Sequence, residues 1–280
     1  MIKRLKFKKM HGLGNDFVIL DFRAGEGVPD QPVLAAMTDR KTGIGCDQLI
    51  VLEPARNTKA DCFMRIFNAP DASEAEACGN ATRCVASLVM QEKDKATAII
   101  QTLADLLECR AQNDDKTLIE VDMGRPSFDW RDIPLDSEHD TMALPLEAGH
   151  LKHPVAVNVG NPHAVFFVED VESVPVSDVG PTFETDPIFP KKANIEFAKV
   201  LDRGTVRMRV WERDTGETDA CGTAACATMV AACRKGFVDR VCDVLLNGGA
   251  LNFHWKEDNG HLLMTGPSSF VFDGVYEYRV

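Results

Sequence analysis

The sequence predicts an α/β fold of two pseudo-symmetric domains, in each of which short strands surround a helix headed by a cysteine. Three observations lead there. A chain of 280 residues has room for two domains of ordinary size. Four blocks of the first half recur, in the same order, in the second half. In both halves a Cys-Gly pair opens a stretch with helical periodicity.

The blocks are short but ordered. GNDFVIL at 14–20 aligns with GNPHAVF at 160–166, QLIVL at 48–52 with NIEFA at 194–198, and MRIFN at 64–68 with MRVWE at 208–212. EAEACGNAT at 74–82 aligns with ETDACGTAA at 217–225, setting Glu76 opposite Asp219 and Cys78 opposite Cys221. Between the last two blocks the spacing changes by one residue, which locates an insertion or deletion between Asn68 and Glu74, where Pro70 marks a turn. The repeated unit spans about 140 residues, the usual size of a single domain.

Along the chain, residues 3–9 alternate Leu5 and Phe7 with Lys6 and Lys8, the pattern of an exposed strand rather than a basic binding tail. MRIFN and MRVWE each read as a strand of alternating character ending in a polar group, Asn68 or Glu212. After Cys78, small or apolar residues at Ala81, Cys84, Val85, Leu88 and Val89 trace one buried helical face, and the polar run QEKDK ends it. After Cys221, GTAACATMVAAC is small or apolar all round, so this helix is expected to be buried on every side. Arg234 and Lys235 give it a cationic last turn, and Gly236 takes the C′ position.

Composition narrows the function. Hydrophobic residues make 45% of the chain and charged residues 26%, as in a globular protein with a sizeable core. The start MIKRLKFKKMHG lacks the apolar segment of a signal peptide, and no run reaches the roughly 18 apolar residues of a membrane span, so a soluble, cytoplasmic protein is expected. A net charge of -12 argues against a nucleic-acid face. Nine cysteines with no CxxC pair argue against a disulfide scaffold, a zinc site or a thioredoxin motif, so reduced thiols and no metal are expected. HGLGNDF and GIGCDQ contain GxG but not the GxGxxG fingerprint, which argues against a nicotinamide cofactor.

Cys62, Cys84, Cys109, Cys226, Cys233 and Cys242 read as small packing residues. Cys78 and Cys221 differ, because each stands at a helix N-terminus, where free amides and the macrodipole favour an anion and can lower a thiol pKa from about 8.5. Gly79 and Gly222 then let a ligand approach the backbone closely. Two such thiols suit inversion of a carbon centre: one thiolate removes a proton from one face while the other thiol delivers one to the opposite face. An amino-acid α-proton lies roughly ten or more pKa units above a thiol, about 14 kcal/mol. Backbone amides around Gly79, Asn80, Gly222 and Thr223 are therefore expected to hold the α-carboxylate and the charge that develops on it.

Taken together, HGLGNDF, GIGCDQ, FNAPDASEAEACGNATRC, GNPHAVFFV, NIEF, WERDTGETDACGTAACA and the later GPSSFVFDGV resemble the diaminopimelate epimerase family, amino-acid epimerases that work without pyridoxal phosphate. The two Cys-Gly helix starts, with Glu-Arg ahead of GETDACGT, make the combination specific. The resemblance implies two α/β domains, each a mixed barrel-like sheet around a central helix, with the active site between them. It implies domains of 1–121 plus 268–280 and 122–267, the last strand returning to the first domain. It makes Cys78 and Cys221 the acid/base pair and Asn15, Gln48, Asn68, Asn161 and Asn194 substrate ligands. Gly79 with Asn80, and Gly222 with Thr223, would hold the reacting end, and His163 and Glu212 match positions that tune the cysteines. Glu212 and Arg213 also suit a distal amino-acid end, a carboxylate for its ammonium and a guanidinium for its carboxylate. The implied reaction interconverts LL- and meso-diaminopimelate, for lysine and cell-wall synthesis, in a cytoplasmic homodimer with no cofactor.

Read alone, the Asn residues are turn formers; their repetition at Asn15/Asn161 and Gln48/Asn194 favours binding. The chain departs from the family where an Asn-Ala-Asp-Gly-Ser turn becomes NAPDAS, with one extra residue, and where a glycine is replaced by Asp214. Pro70 fixes its own φ and Asp214 lacks glycine's freedom, so the geometry around Asn68 and Arg213 is where differences are expected. Two other readings stay open. One is a proline or hydroxyproline racemase or epimerase, which resembles this fold and also uses two cysteines; Glu212, Arg213 and the Asn side chains instead favour a substrate polar at both ends. The other is a thiol redox or metal-binding protein whose two thiols oxidise to a disulfide.

Overall fold

The structure, a computed structural model, describes residues 2–279 apart from Glu26, Glu76 and Ala77, so the pairing of Glu76 with Asp219 in the repeat lies outside the described residues. The chain divides into two compact units, Met1–Val121 with Gly266–Val280, and Asp122–Thr265.

The first unit runs β1 (Ile2–Gly12), β2 (Asn15–Asp21), α1 (Gln31–Thr38), β3 (Gln48–Glu53), β4 (Cys62–Asn68), β5 (Ser73–Ala75), α2 (Gly79–Glu92), β6 (Thr97–Gln101), β7 (Leu106–Ala111) and β8 (Leu118–Asp122). Strands β2 and β3 are parallel, as are β4 and β6; the other neighbours pair antiparallel. A parallel pair needs a long crossover, and α1 and α2 lie in those two connections. Helix α2 packs on β1, β6 and β7. It is buried on more than the one apolar face that its sequence suggests: Arg83 and Ser87 are buried too. Their polar groups are satisfied inside, Arg83 donating to Asn80 Oδ1 at 2.7 Å and to the Pro267 carbonyl at 3.2 Å, and Ser87 to the Lys116 carbonyl at 2.5 Å.

In the second unit a short hairpin of β9 (Glu147–Ala148) and β10 (Leu151–Lys152) comes first. Then β11 (Val155–Asn158), β12 (Pro162–Phe167), α3 (Val176–Glu184), β13 (Asn194–Asp202), β14 (Thr205–Glu212), β15 (Gly216–Thr218), α4 (Gly222–Arg234), β16 (Val241–Leu246), β17 (Gly249–Trp255) and β18 (Leu262–Pro267) repeat the first unit element for element. Directions repeat as well, with β12 parallel to β13 and β14 parallel to β16. The register repeats across the parallel pairs, Phe17 opposite Gln48 in one unit and His163 opposite Asn194 in the other. The one-residue difference falls in a hairpin loop: residues 69–72 join β4 to β5, and residues 213–215 join β14 to β15.

Helix α4 touches β11, β12, β13, β14, β16 and β17, so the mixed sheet curves around it. Its glycine, alanine, threonine and cysteine side chains let strands approach from every side, as its composition predicts. Gly236 ends it at φ 73, the left-handed conformation of a C′ residue. The final strand, β19 (Ser269–Arg279), pairs antiparallel with β1 from Ile2 opposite Arg279 to His11 opposite Ser269. That pairing corrects the expectation of a simply exposed strand at residues 3–9. β1 lies between β2 and β19, Phe7 and Lys9 are buried, and Lys9 donates to Asp16 and to the Gly45 carbonyl. Gly274 faces the Phe7 ring, which leaves no room there for a Cβ.

Candidate active site

In the first unit Cys78 is the N-cap of α2, with extended backbone, and its Sγ accepts from the Ala81 amide at 3.5 Å. Gly79 and Asn80 form the first turn of α2, at the positive end of the helix dipole. Asn15, at the start of β2, places Oδ1 3.8 Å from Sγ and 3.2 Å from Asn80 Nδ2. Its own Nδ2 donates to Asp47 at 3.1 Å. Arg40 grips both Asp16 and Asp47, at 2.6 and 2.7 Å. Burial pushes the Asp16 carboxyl up, but hydrogen bonds from Arg40 and Lys9 outweigh it and hold it at about 2. Gln48 on β3 donates to Asn68 Oδ1 on β4 at 2.9 Å, and Gln48 Oε1 is a buried acceptor with no hydrogen-bond partner.

In the second unit Cys221 is the N-cap of α4 and is 8% exposed. Its Sγ lies 3.5 Å from Thr223 Oγ1, which accepts from Asn161 Nδ2 at 3.4 Å. Asn161 Oδ1 is 2.8 Å from His163 Nε2, and His163 Nδ1 is 2.6 Å from Glu196 Oε1, with both of those side chains wholly buried. Glu212, at the end of β14, accepts from the Thr218 hydroxyl. The helix start favours a thiolate at Cys221, but its surroundings oppose it. Burial and then the Glu212 carboxylate push the Cys221 thiol well up, against a smaller pull from the Thr223 hydroxyl.

Asn194 bridges the start of β12 and the loop after β14, donating to the Pro162 carbonyl at 3.0 Å and accepting from the Arg213 amide at 2.9 Å. Asp214 does adopt the left-handed conformation of the glycine it replaces, at φ 59. Its amide donates to Glu184 Oε1 at 2.8 Å and its carboxylate pairs with Lys192, which ties the Arg213 turn to α3. In the first unit the extra residue is absorbed by a turn in which the Ala72 amide donates to the Asn68 carbonyl at 2.9 Å.

The structure thus groups Asn15, Gly79 and Asn80 at Cys78, and joins Gln48 to Asn68. It groups Asn161, Glu212, Gly222 and Thr223 at Cys221, with His163 behind Asn161 and Asn194 under Arg213. The sequence reading missed Asp16, Arg40, Asp47, Glu184 and Glu196, which hold those side chains in place. Asp16, Asp47 and Glu196 carry a signal, because each is an acid inside GNDF, GIGCDQ or NIEF. Arg40 and Glu184 lie outside every repeated block. Among the described residues no group of three His, Cys, Asp or Glu could hold a metal ion, and no helix is long and apolar enough to cross a membrane.

The sequence family described as Diaminopimelate epimerase matches residues 7–128 and 155–271. The diaminopimelate epimerase of Rhodospirillum centenum is 50% identical over 98% of this chain and 92% of its own length. That of Rhizorhabdus wittichii is 51% identical over 96% of this chain and 94% of its own. Among solved structures, a hydroxyproline epimerase from Agrobacterium vitis aligns with a TM-score of 0.70 at 14% identity, covering 98% of this chain and 91% of that one. A predicted epimerase from Pseudomonas aeruginosa aligns at 0.69 and 17%, covering 96% and 98%. At these identities the solved structures show a shared fold.

Proposed function

The chain belongs to the diaminopimelate epimerase family, and we propose that it interconverts LL- and meso-diaminopimelate with Cys78 and Cys221 as the two acid/base groups. The observation that carries the reading is 50% identity to the Rhodospirillum centenum enzyme over 98% of this chain. The equivalent N-cap positions of the two thiols support the two-base scheme.

In that scheme one cysteine, as thiolate, takes the α-proton, and the other, as thiol, returns a proton to the opposite face of the same carbon. Cys221, held protonated by burial and Glu212, is suited to give its proton first. The first-turn amides at Gly79, Asn80, Gly222 and Thr223 bind the α-carboxylate and stabilise the enolate-like charge. Asn15, Asn68, Asn161 and Asn194 fix the remaining polar groups, and the unpaired Gln48 Oε1 accepts from an ammonium. Glu212 and Arg213 hold the distal amino-acid end. No cofactor takes part, and the enzyme works in the cytoplasm, in lysine and peptidoglycan precursor synthesis, without nucleic-acid or membrane partners.

Incubation with LL- or meso-diaminopimelate in deuterated water, without pyridoxal phosphate, tests the reading. Deuterium should enter the α-position with inversion, while proline should not exchange. Cys78→Ala and Cys221→Ala should each abolish epimerisation in a folded protein, and full activity in either would sink the two-base scheme. Exchange of proline alone would move the assignment to the proline racemases; redox turnover without epimerisation would move it to a thiol oxidoreductase.

The working form is a homodimer. Support comes from β19, where Phe270, Val271, Phe272 and Val275 are each about half exposed along one strand. Val275→Asp should then shift the mass measured by light scattering from dimer to monomer; an unchanged dimer would place the interface elsewhere.

A further inference from the structure

We infer that Glu196 is a positioning residue which, acting through His163, Asn161 and Thr223, aims a hydroxyl hydrogen at Cys221 Sγ. Glu196 lies in the buried first half of β13, between Ile195 and Phe197, both fully buried. Its Oε1 is 2.6 Å from His163 Nδ1, while Oε2 is buried with no hydrogen-bond partner. A carboxyl oxygen buried among apolar neighbours is unfavourable, and packing alone would be better served by a leucine. The contact that accounts for a carboxyl at this place is the imidazole.

The polarity of the chain follows from donor and acceptor capacity. Asn161 turns its NH2 to Thr223 Oγ1 and its Oδ1 to His163 Nε2, so Nε2 carries a hydrogen. With Nε2 protonated, Nδ1 either accepts from a protonated Glu196 or, in the imidazolium, donates to a carboxylate. A carboxyl group satisfies both states, and the wholly buried ring has no solvent to do so. At the other end Thr223 has a single hydroxyl hydrogen. Its oxygen accepts from Asn161, and we assign that hydrogen to Cys221 Sγ, 3.5 Å away. A hydroxyl donating to sulfur favours thiolate over thiol and opposes the burial and the Glu212 carboxylate that hold the thiol protonated. Glu196 thereby clamps the ring whose tautomer sets every later hydrogen bond.

This inference rests on the reading of Cys221 as an acid/base group, but its test needs no substrate. Full-length wild type, Glu196→Leu, Glu196→Gln, Thr223→Val and the Glu196→Leu/Thr223→Val double variant are treated with iodoacetamide. Modification of Cys221 is followed by peptide mass, with Cys78 in the same chain as reference. Loss of the aimed hydroxyl should slow Cys221 roughly tenfold relative to Cys78 in Glu196→Leu and in Thr223→Val, the scale of one hydrogen bond to a charged group. Glu196→Gln, whose amide can still donate to Nδ1, should stay within about twofold of wild type, and the double variant should be no slower than Thr223→Val alone. If Glu196→Leu does not fold, Glu196→Asp, which withdraws the carboxyl from the ring, takes its place with the same expectation. An unchanged ratio of Cys221 to Cys78, equal slowing of both thiols, or full additivity in the double variant overturns the proposal. Alkylation that follows the expected order in a protein that leaves diaminopimelate unchanged would remove the proposed function and leave the Glu196 chain standing.

Discussion

Asn80 Nδ2 lies 3.2 Å from Asn15 Oδ1, while Asn80 Oδ1 accepts from the wholly buried guanidinium of Arg83. Arg83 has no acceptor, so it fixes which way round the Asn80 amide points, and Asn80 in turn fixes Asn15. Replacing Arg83 by Met keeps much of the buried bulk and releases that order. KM for diaminopimelate should then rise roughly tenfold with kcat changed less, because one oriented hydrogen bond on a bound substrate is lost. A KM equal to that of wild type would show that Asn15 is aligned without Arg83.

How much of this was legible in the sequence depends on the kind of signal. Cys78 and Cys221 could be found because the chain repeats itself, and the repeated fold brings each to the N-cap of an equivalent helix. Asn15, Gln48, Asn161 and Asn194 were legible for the same reason, as polar residues recurring at matching block positions. Arg83 was not, because a helical pattern reports which positions are apolar, and an arginine satisfied inside by Asn80 and Pro267 looks like any surface arginine. The fate of the Cys221 proton was not legible either. Helix position favours the thiolate, burial and Glu212 oppose it, and their balance depends on depth, which periodicity does not give.

That balance can be shifted. Burial and the Glu212 carboxylate both raise the Cys221 pKa, so at neutral pH Cys221 is the protonated thiol and its alkylation should climb only at high pH. Glu212→Gln removes the negative charge and leaves burial in place. The pH midpoint for iodoacetamide modification of Cys221, read by peptide mass, should therefore move down while staying above that of a free thiol. An unmoved midpoint would mean that burial alone holds the proton.

Asp16 links a site residue to acid stability. Its folded pKa of about 2 lies below the ordinary 3.8, so its stabilisation is fully present above pH 3.8 and is lost as pH falls through about 2. Asp16→Asn should lower urea stability near neutral pH by on the order of 1 kcal/mol once solvent screening is allowed for. The gap to wild type should close as the pH is lowered from about 4 to about 2. A gap that persists at the lowest pH would show that Asp16 acts through something other than its charge.

Asp214 tests the departure at the Arg213 turn. Its φ of 59 is a conformation that glycine takes freely and that an L side chain resists, although Asp resists it less than most residues. Against that strain stands the pair with Lys192, whose two side chains are both more than 40% exposed and which should therefore stabilise little. The amide bond to Glu184 does not depend on the side chain and should survive substitution. Asp214→Gly should consequently change stability by less than about 1 kcal/mol, towards the stable side, because relief of strain offsets glycine's added freedom when unfolded. KM should hold, since the Arg213 amide stays on Asn194. A loss of stability in urea would show that the Lys192 pair, and not backbone preference, sets the turn, and a raised KM would show that Asp214 positions Arg213 through its side chain.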